Sequence, residues 1–159
     1  MEFFTIGVYN STEQEFFNKL LENRIDTFCD IRQRRAVRGS KYTFVNSTKL
    51  QKRLSELEIK YSHILQLAPT KEIRVLQKQV DLNKGELKSE RQALGEIFIL
   101  EYESKILEYF NIDAFVEGLE NINSKRVVLF CIEERHEACH RSIVSNRLEQ
   151  KYHYKVTHI

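Results

Sequence analysis

Cys131-Ile132-Glu133-Glu134-Arg135-His136-Glu137-Ala138-Cys139-His140-Arg141 is the densest chemical segment of the chain, with two thiols, two imidazoles and three carboxylates among its side chains. It follows an apolar run, Lys125–Ile132, and precedes a helix expected over Glu137–Lys151, so Cys139, His140 and Arg141 are expected in that helix's first turn. A helix N-terminus lowers a thiol's pKa and attracts anions. Three chemistries fit these residue types. A thiolate phosphatase or rhodanese loop needs arginine six positions after its cysteine, and that position from Cys131 holds Glu137. A zinc site has ligands enough in Cys131, His136, Cys139 and His140, but their spacing matches no common finger, so zinc is disfavoured and no metal is assigned. An acid/base site is the third, with Glu133 and His140 moving protons and Cys139 and Arg141 on the anion-binding side. Against all three stands the plain alternative that both cysteines are inert core residues; Cys131, in the most apolar strand, fits it best, and Cys139 is expected to be the more reactive thiol.

Asp30 and Arg32 form a second constellation at the end of another apolar segment, Ile25–Ile31. Alternation along a strand puts both side chains on one face, as a base beside an orienting or anion-binding guanidinium, or as a simple ion pair. A third feature follows directly. Between Ile31 and Lys60 nine Lys or Arg face only Glu56 and Glu58, a local charge of +7, whereas the other 129 residues carry −5. Within this stretch Arg32, Arg34, Arg35, Arg38 and Lys41 accompany Tyr42 and Phe44. Guanidinium forks suit phosphates and aromatic rings suit unpaired bases. Nucleic acid or a nucleotide is therefore the expected partner, with a solvated basic loop as the alternative.

The elements that must position these groups alternate strand and helix. Strands are expected at Glu2–Tyr9, Ile25–Ile31, Ile59–Leu67, Lys125–Ile132 and Tyr154–Ile159, and helices at Thr12–Arg24, Ser47–Glu58 and Glu137–Lys151. A helical insertion of about 70–121 is expected between the third and fourth strands, with helices at Thr70–Leu82, Ser89–Phe110 and Asp113–Leu119 and a break at Asn83-Lys84-Gly85. The continuous apolar run of the fourth strand implies burial on both faces. The expectation is one α/β domain over 1–159, with a largely parallel sheet of about five strands flanked by helices. In such sheets ligands bind beyond the strands' carboxyl ends. Asp30, Arg32, Glu133 and Cys139–Arg141 are accordingly expected to converge on one cleft. Lys71, Glu72 and Arg74 could line it, while His63, inside a strand, reads as a core histidine.

Composition narrows the classes further. The 159 residues are 42% hydrophobic and 30% charged, the balance of a folded globular domain. No apolar run approaches the roughly 20 residues of a spanning helix, so no membrane partner is expected. Three cysteines and no visible secretory signal point to a reducing cytoplasm. No P-loop, dinucleotide fingerprint or Gly-x-Ser-x-Gly elbow occurs, so no nucleotide cofactor is assigned.

Taken together, Thr5-Ile6-Gly7, Asp30 with Arg32, Asn46, Tyr61 with His63, Cys131 with Glu133, Cys139-His140-Arg141 and His158-Ile159 resemble, in that order, the marks of the family catalogued as domain of unknown function 488. The chain departs from that pattern at Val8-Tyr9, where the family often has His-Ser, and at Leu67-Ala68-Pro69-Thr70, where many members carry Leu-Gly-Gly. The resemblance implies an α/β fold and a shared site, and it supplies no reaction. Two readings remain open: a hydrolytic enzyme acting on a nucleotide or nucleic acid, or a non-catalytic nucleic-acid-binding or regulatory module using the 32–44 loop.

Overall fold

A computed structural model describes residues 1–88 and 90–159. Five short strands form one all-parallel sheet: β1 (Glu2–Ile6), β2 (Thr27–Asp30), β3 (Lys60–His63), β4 (Arg126–Phe130) and β5 (Val156–His158), in the order β3-β2-β4-β1-β5. The central strand β4 is the most apolar, and it pairs with β1 from Glu2↔Arg126 to Ile6↔Phe130 and with β2 from Thr27↔Val127 to Asp30↔Phe130. Alternation along these strands divides the core in two. Phe4, Ile6, Phe28, Val128 and Phe130 pack with α1 (Glu13–Glu22) and α2 (Ser47–Glu56) on one face. Phe3, Cys29, Val127, Leu129 and Cys131 pack on the other with α3 (Lys71–Lys84), α4 (Glu96–Tyr102), α5 (Ile112–Asn121) and α6 (His140–Tyr152).

Local chemistry sets the helix ends. Thr12 caps α1 in a reciprocal capping box with Glu15, Thr70 caps α3, and Gly85 closes α3 at φ 65°. The strands are shorter than their apolar runs. After His63 the chain turns into a 3₁₀ segment at Leu65–Leu67, and after Ile6 the amides of Val8 and Tyr9 both donate to the Ile132 carbonyl. Two helix expectations need correction. The helix expected from Ser89 to Phe110 begins at Glu96, with Gly95 at its N-cap, and passes into a π-helical turn at Glu103–Leu107; its expected first residue lies outside the described residues. Arg91 is instead drawn inward to Asp81, which keeps 90–95 out of the helix. The expected Glu137–Lys151 helix starts with a 3₁₀ turn at His136–Ala138, then Cys139 in extended conformation (φ −141°, ψ 143°), so α6 proper begins at His140. Cys139 is therefore the N-cap residue, not a member of the first turn.

β1 and β4 are neighbours whose connections leave in opposite directions, through α1 on one face and α6 on the other. That is a topological switch point, where open α/β sheets hold ligands. The two strand ends meet there so closely that a Cβ on Gly7 would lie 1.9 Å from the Glu133 carbonyl oxygen. Gly7→Ala must push the β4–α6 connection away and is expected to cost about 1–3 kcal/mol or more. Gly118→Ala, on the exposed side of α5 with nothing within 4 Å, should stabilise by about 0.5–1 kcal/mol. Urea denaturation of both variants checks this opposition of sign.

Candidate functional site

The β4–α6 connection brings four chemical groups of the sequence together. Cys131 leaves the end of β4, and its thiol lies 3.3 Å from Glu133 Oε2 and 3.9 Å from His140 Nδ1. Cys139 Sγ lies 3.7 Å from the same nitrogen. The other ring nitrogen of His140, Nε2, is 3.1 Å from the Ile31 carbonyl at the end of β2. A carbonyl only accepts, so Nε2 carries a proton, and the ring's other nitrogen, Nδ1, faces both sulfurs. Tyr102 of α4 packs on this ring at 5.5 Å and donates its hydroxyl to Leu67 O at 2.6 Å. Cys131, Glu133, Cys139 and His140 are all buried.

Glu133 is the link between this cluster and solvent. Lys88 Nζ lies 3.1 Å from its Oε1 and Arg91 Nη1 3.7 Å. Arg91 is held in turn by Asp81, with Nε to Oδ1 at 3.0 Å, and donates to Ala138 O at 3.3 Å. Glu133, Lys88 and Arg91, with Asn10, Glu134, Arg135 and neighbours, line a polar pocket of about 210 Å³. Burial alone would raise the Glu133 carboxyl, but Lys88, its own backbone amide and His140 overcome this and hold it down at about 2. Glu133 is thus a carboxylate at neutral pH. In the thiol pair, the hydrogen bond to Cys139 and burial push Cys131 well up. Cys139 goes the other way: burial opposes ionisation, yet the Cys131 hydrogen bond and the charges of His140 and Arg141 lower it. His140 is raised despite its burial, chiefly by Cys139.

Arg141 has a different task. It is buried, and its Nη1 and Nη2 donate to the carbonyls of Glu133 and Glu134. Its forks close the connection instead of facing the pocket. Asp30 and Arg32 likewise spend their charges on each other. Arg32 Nε and Nη2 reach the two Asp30 oxygens at 2.8 and 2.7 Å, Nη2 also reaches Val45 O, and Tyr61 donates its hydroxyl to Asp30 at 3.0 Å. The pair is buried, with Arg32 over the Phe130 ring at 4.5 Å. It belongs to the α1/α2 face, whereas Cys131, Cys139 and His140 belong to the α6 face. The expected single cleft is therefore two clusters at the same carboxyl edge, joined through the Ile31 backbone. His63 sits beside them, its Nε2 2.8 Å from Arg32 O.

In the basic loop Arg34, Arg38 and Lys41 are exposed, while Arg35 is half-buried. Tyr42 packs its ring against Tyr9 and Phe44 and accepts the Asn10 amide at 3.0 Å, which ties the loop to the rim of the pocket. Lys71 and Glu72 are exposed, Arg74 bonds its own helix, and none of the three lines the pocket. Sequence reasoning missed Lys88, Arg91, Asp81 and Tyr102, which come from a helical region with no motif. Nothing in the local sequence of 86–95 signalled them. It also missed that three of the four zinc-type ligands meet: Cys131 Sγ, Cys139 Sγ and a His140 nitrogen lie within 4.8 Å of one another, without His136.

The family model for domain of unknown function DUF488 matches residues 12–148. The chain belongs to this family. The match spans both buried clusters and the basic loop, while β1 with Gly7 lies before it. No curated protein and no solved structure matches significantly. Among the described residues, no helix is long and apolar enough to cross a membrane.

Because Glu133 is ionised in the folded state well below its ordinary value of 4.5, it contributes stability above the unfolded-state pKa that is lost as pH falls toward about 2. The shift corresponds to about 3 kcal/mol. Glu133→Gln should therefore lose about that much less stability than the native chain between pH 5 and pH 2, measured by urea unfolding at several pH values.

Proposed function

We propose that this DUF488 protein is a hydrolytic enzyme acting on a nucleotide or nucleic acid, with its reacting centre at the β4–α6 connection. The observation that carries this reading is the position of Glu133. One carboxylate oxygen meets Lys88 and Arg91 in the polar pocket, and the other meets the Cys131 thiol of the buried cluster. A substrate group in the pocket thus comes within reach of a fixed carboxylate, with the His140 imidazole behind it, and such groups move protons in hydrolysis. Three cations, Lys88, Arg91 and Arg135, and three carboxylates, Glu90, Glu133 and Glu134, line the same space, so the pocket suits a polar group, and the anionic part of a substrate would meet the exposed cations outside it. At about 210 Å³ the pocket admits one small polar group, not a folded strand of nucleic acid, so the rest of the substrate lies outside it. The exposed cations Arg34, Arg38 and Lys41 adjoin the rim through Tyr42 and Asn10, where a phosphate backbone or nucleotide tail would run.

In this reading Glu133 is the catalytic carboxylate and His140 its partner, with Cys139 beside them. Arg141 is a positioning residue that fixes the Glu133–Glu134 backbone, and Asp30 with Arg32 supports the β2 end that receives His140. Three free, buried cysteines suit a reducing compartment, and we place the protein in the cytoplasm.

The same exposed cations favour a second reading, a non-catalytic nucleic-acid-binding module. One set of measurements separates the two. Nucleotides and short oligonucleotides are incubated with the native chain and with Glu133→Gln, products are read by mass spectrometry, and binding is measured across salt concentrations. The enzyme reading expects turnover by the native chain, loss of at least about 100-fold in Glu133→Gln, and binding that survives the substitution. Arg34→Ala, Arg38→Ala and Lys41→Ala together should flatten the slope of log affinity against log salt by about 2–3 units. Salt-dependent binding without turnover selects the binding module, and the absence of both removes the nucleic-acid partner altogether.

A further inference from the structure

The buried trio at the end of β4 has the shape of a coordination site. In a tetrahedral zinc centre, metal–sulfur bonds of about 2.3 Å and metal–nitrogen bonds of about 2.0–2.1 Å place neighbouring donor atoms about 3.5–3.8 Å apart. Here His140 Nδ1 lies 3.7 Å from Cys139 Sγ and 3.9 Å from Cys131 Sγ, and all three donors fall within 4.8 Å of one another. We propose that Cys131 Sγ, Cys139 Sγ and His140 Nδ1 bind one zinc-class divalent ion, with its fourth position beside Glu133.

Several independent features of the surroundings fit this. Metal-binding histidines hold their second ring nitrogen against a carbonyl or carboxylate, and His140 Nε2 is held by Ile31 O at 3.1 Å. Tyr102, held by its hydroxyl on Leu67 O, packs against the same ring. Arg91 braces the backbone just before Cys139 through the Ala138 carbonyl. The two sulfur ligands select a soft or borderline ion such as zinc over magnesium or calcium. Glu133 touches the trio at its Cys131 edge, 3.3 Å away, and opens on the pocket. Three protein ligands with an open fourth position characterise catalytic zinc sites, and four protein ligands characterise structural ones. Such an ion would lower the pKa of a bound water and so supply a hydroxide for hydrolysis, and Glu133 would orient that water by accepting a hydrogen bond from it. This use of the ion rests on the hydrolytic reading above; the presence of the ion does not.

Spacing alone concealed the site, because its ligands sit at the two ends of one connection, just past a strand and at the start of a helix, in a pattern that no common finger shares. Cys29 provides an internal control. It lies on the same face of the sheet, in β2, but outside the trio.

The experiment uses the full chain purified without chelator. Zinc per chain is measured by elemental analysis after desalting, and chelated protein is then titrated with cobalt(II) while thiolate-to-metal absorption is followed. The expected result is one equivalent of zinc, a cobalt spectrum of tetrahedral intensity with a thiolate band, and no change in either for Cys29→Ala. Cys131→Ser and Cys139→Ser should each weaken binding by more than about 100-fold, since even outer-shell changes cost 10–100-fold. Should either serine variant fail to fold, metal protection of two thiols out of three against alkylation in the native chain reads the same ligands. A native chain that takes up neither zinc nor cobalt at equimolar concentration overturns the site, as does binding lost in Cys29→Ala but kept in Cys139→Ser. An ion-free chain that binds neither metal yet still turns over nucleotide overturns the site and leaves the hydrolytic reading standing. A stoichiometric ion in a chain that turns nothing over supports the site and removes that reading.

Discussion

The close approach of the Glu133 carbonyl to Gly7 is the constraint on which the candidate site depends. With no side chain at position 7, the end of β1 lets the β4–α6 connection lie against it, and Arg141 then clamps that connection through the carbonyls of Glu133 and Glu134. A chain held at both points must turn sharply between Phe130 and His140. That turn brings Cys131 back to face Cys139 and His140 and sends the Glu133 side chain outward to Lys88 and Arg91. The clamp is itself buried, so its cost in desolvation is offset only by the hydrogen bonds it makes to these carbonyls. Arg141 therefore acts on the site without entering it.

The two buried charge clusters at this edge solve the same electrostatic problem differently. Asp30 and Arg32 form a fork-to-fork pair that also takes in Tyr61 and the Val45 carbonyl. Both residues are sealed from solvent, and the carboxylate is fully engaged while Arg32 Nη1 is buried without a partner. Glu133 is paired less tightly, with Lys88 at 3.1 Å and Arg91 at 3.7 Å, and Lys88 is half-exposed. A charge so held is stabilised enough to stay ionised yet keeps an edge toward the pocket. The closed pair is architecture; the open one is the arrangement that can meet a ligand. Their common edge follows from parallel strands of similar length ending together, and their opposite faces follow from alternation along β2 and β4.

Much of this was legible in the residues. The alternation of strand and helix gave the α/β class and the parallel sheet, since β4 is apolar on both faces, and the Asp30-x-Arg32 and Cys131-to-Arg141 segments fall at strand ends as their flanking runs imply. The extents were less legible. Apolar residues such as Leu67 remain buried after the ladder has ended, so hydrophobicity overstates strand length. The helix expected from Ser89 to Phe110 illustrates the opposite limit. Its residues are good helix formers, but Arg91 gains two bonds to Asp81 and one to Ala138 O by leaving the helix, and tertiary pairing overrides local propensity. Lys88 and Arg91 reach Glu133 across more than forty positions of sequence, a relation that no local spacing encodes.

The three cysteines make the same point about position. Cys29, in β2, and Cys131, just past the end of the adjacent β4, lie on the same face of the sheet, and both are buried in the same cluster. Cys29 lies within the ladder, opposite Ser62 and Leu129, where burial pushes its thiol up to about 12 and leaves it a small apolar residue. Cys131 lies one residue beyond the last β4 ladder position, where the backbone is free to turn and the N-terminus of α6 returns beside it. Residue type and burial are alike in the two, and the difference in chemistry comes from what the strand end permits to approach. A thiol within the ladder meets its neighbouring strands and the helices covering that face. One beyond the strand's carboxyl end can meet an imidazole, a second thiol and a carboxylate at once.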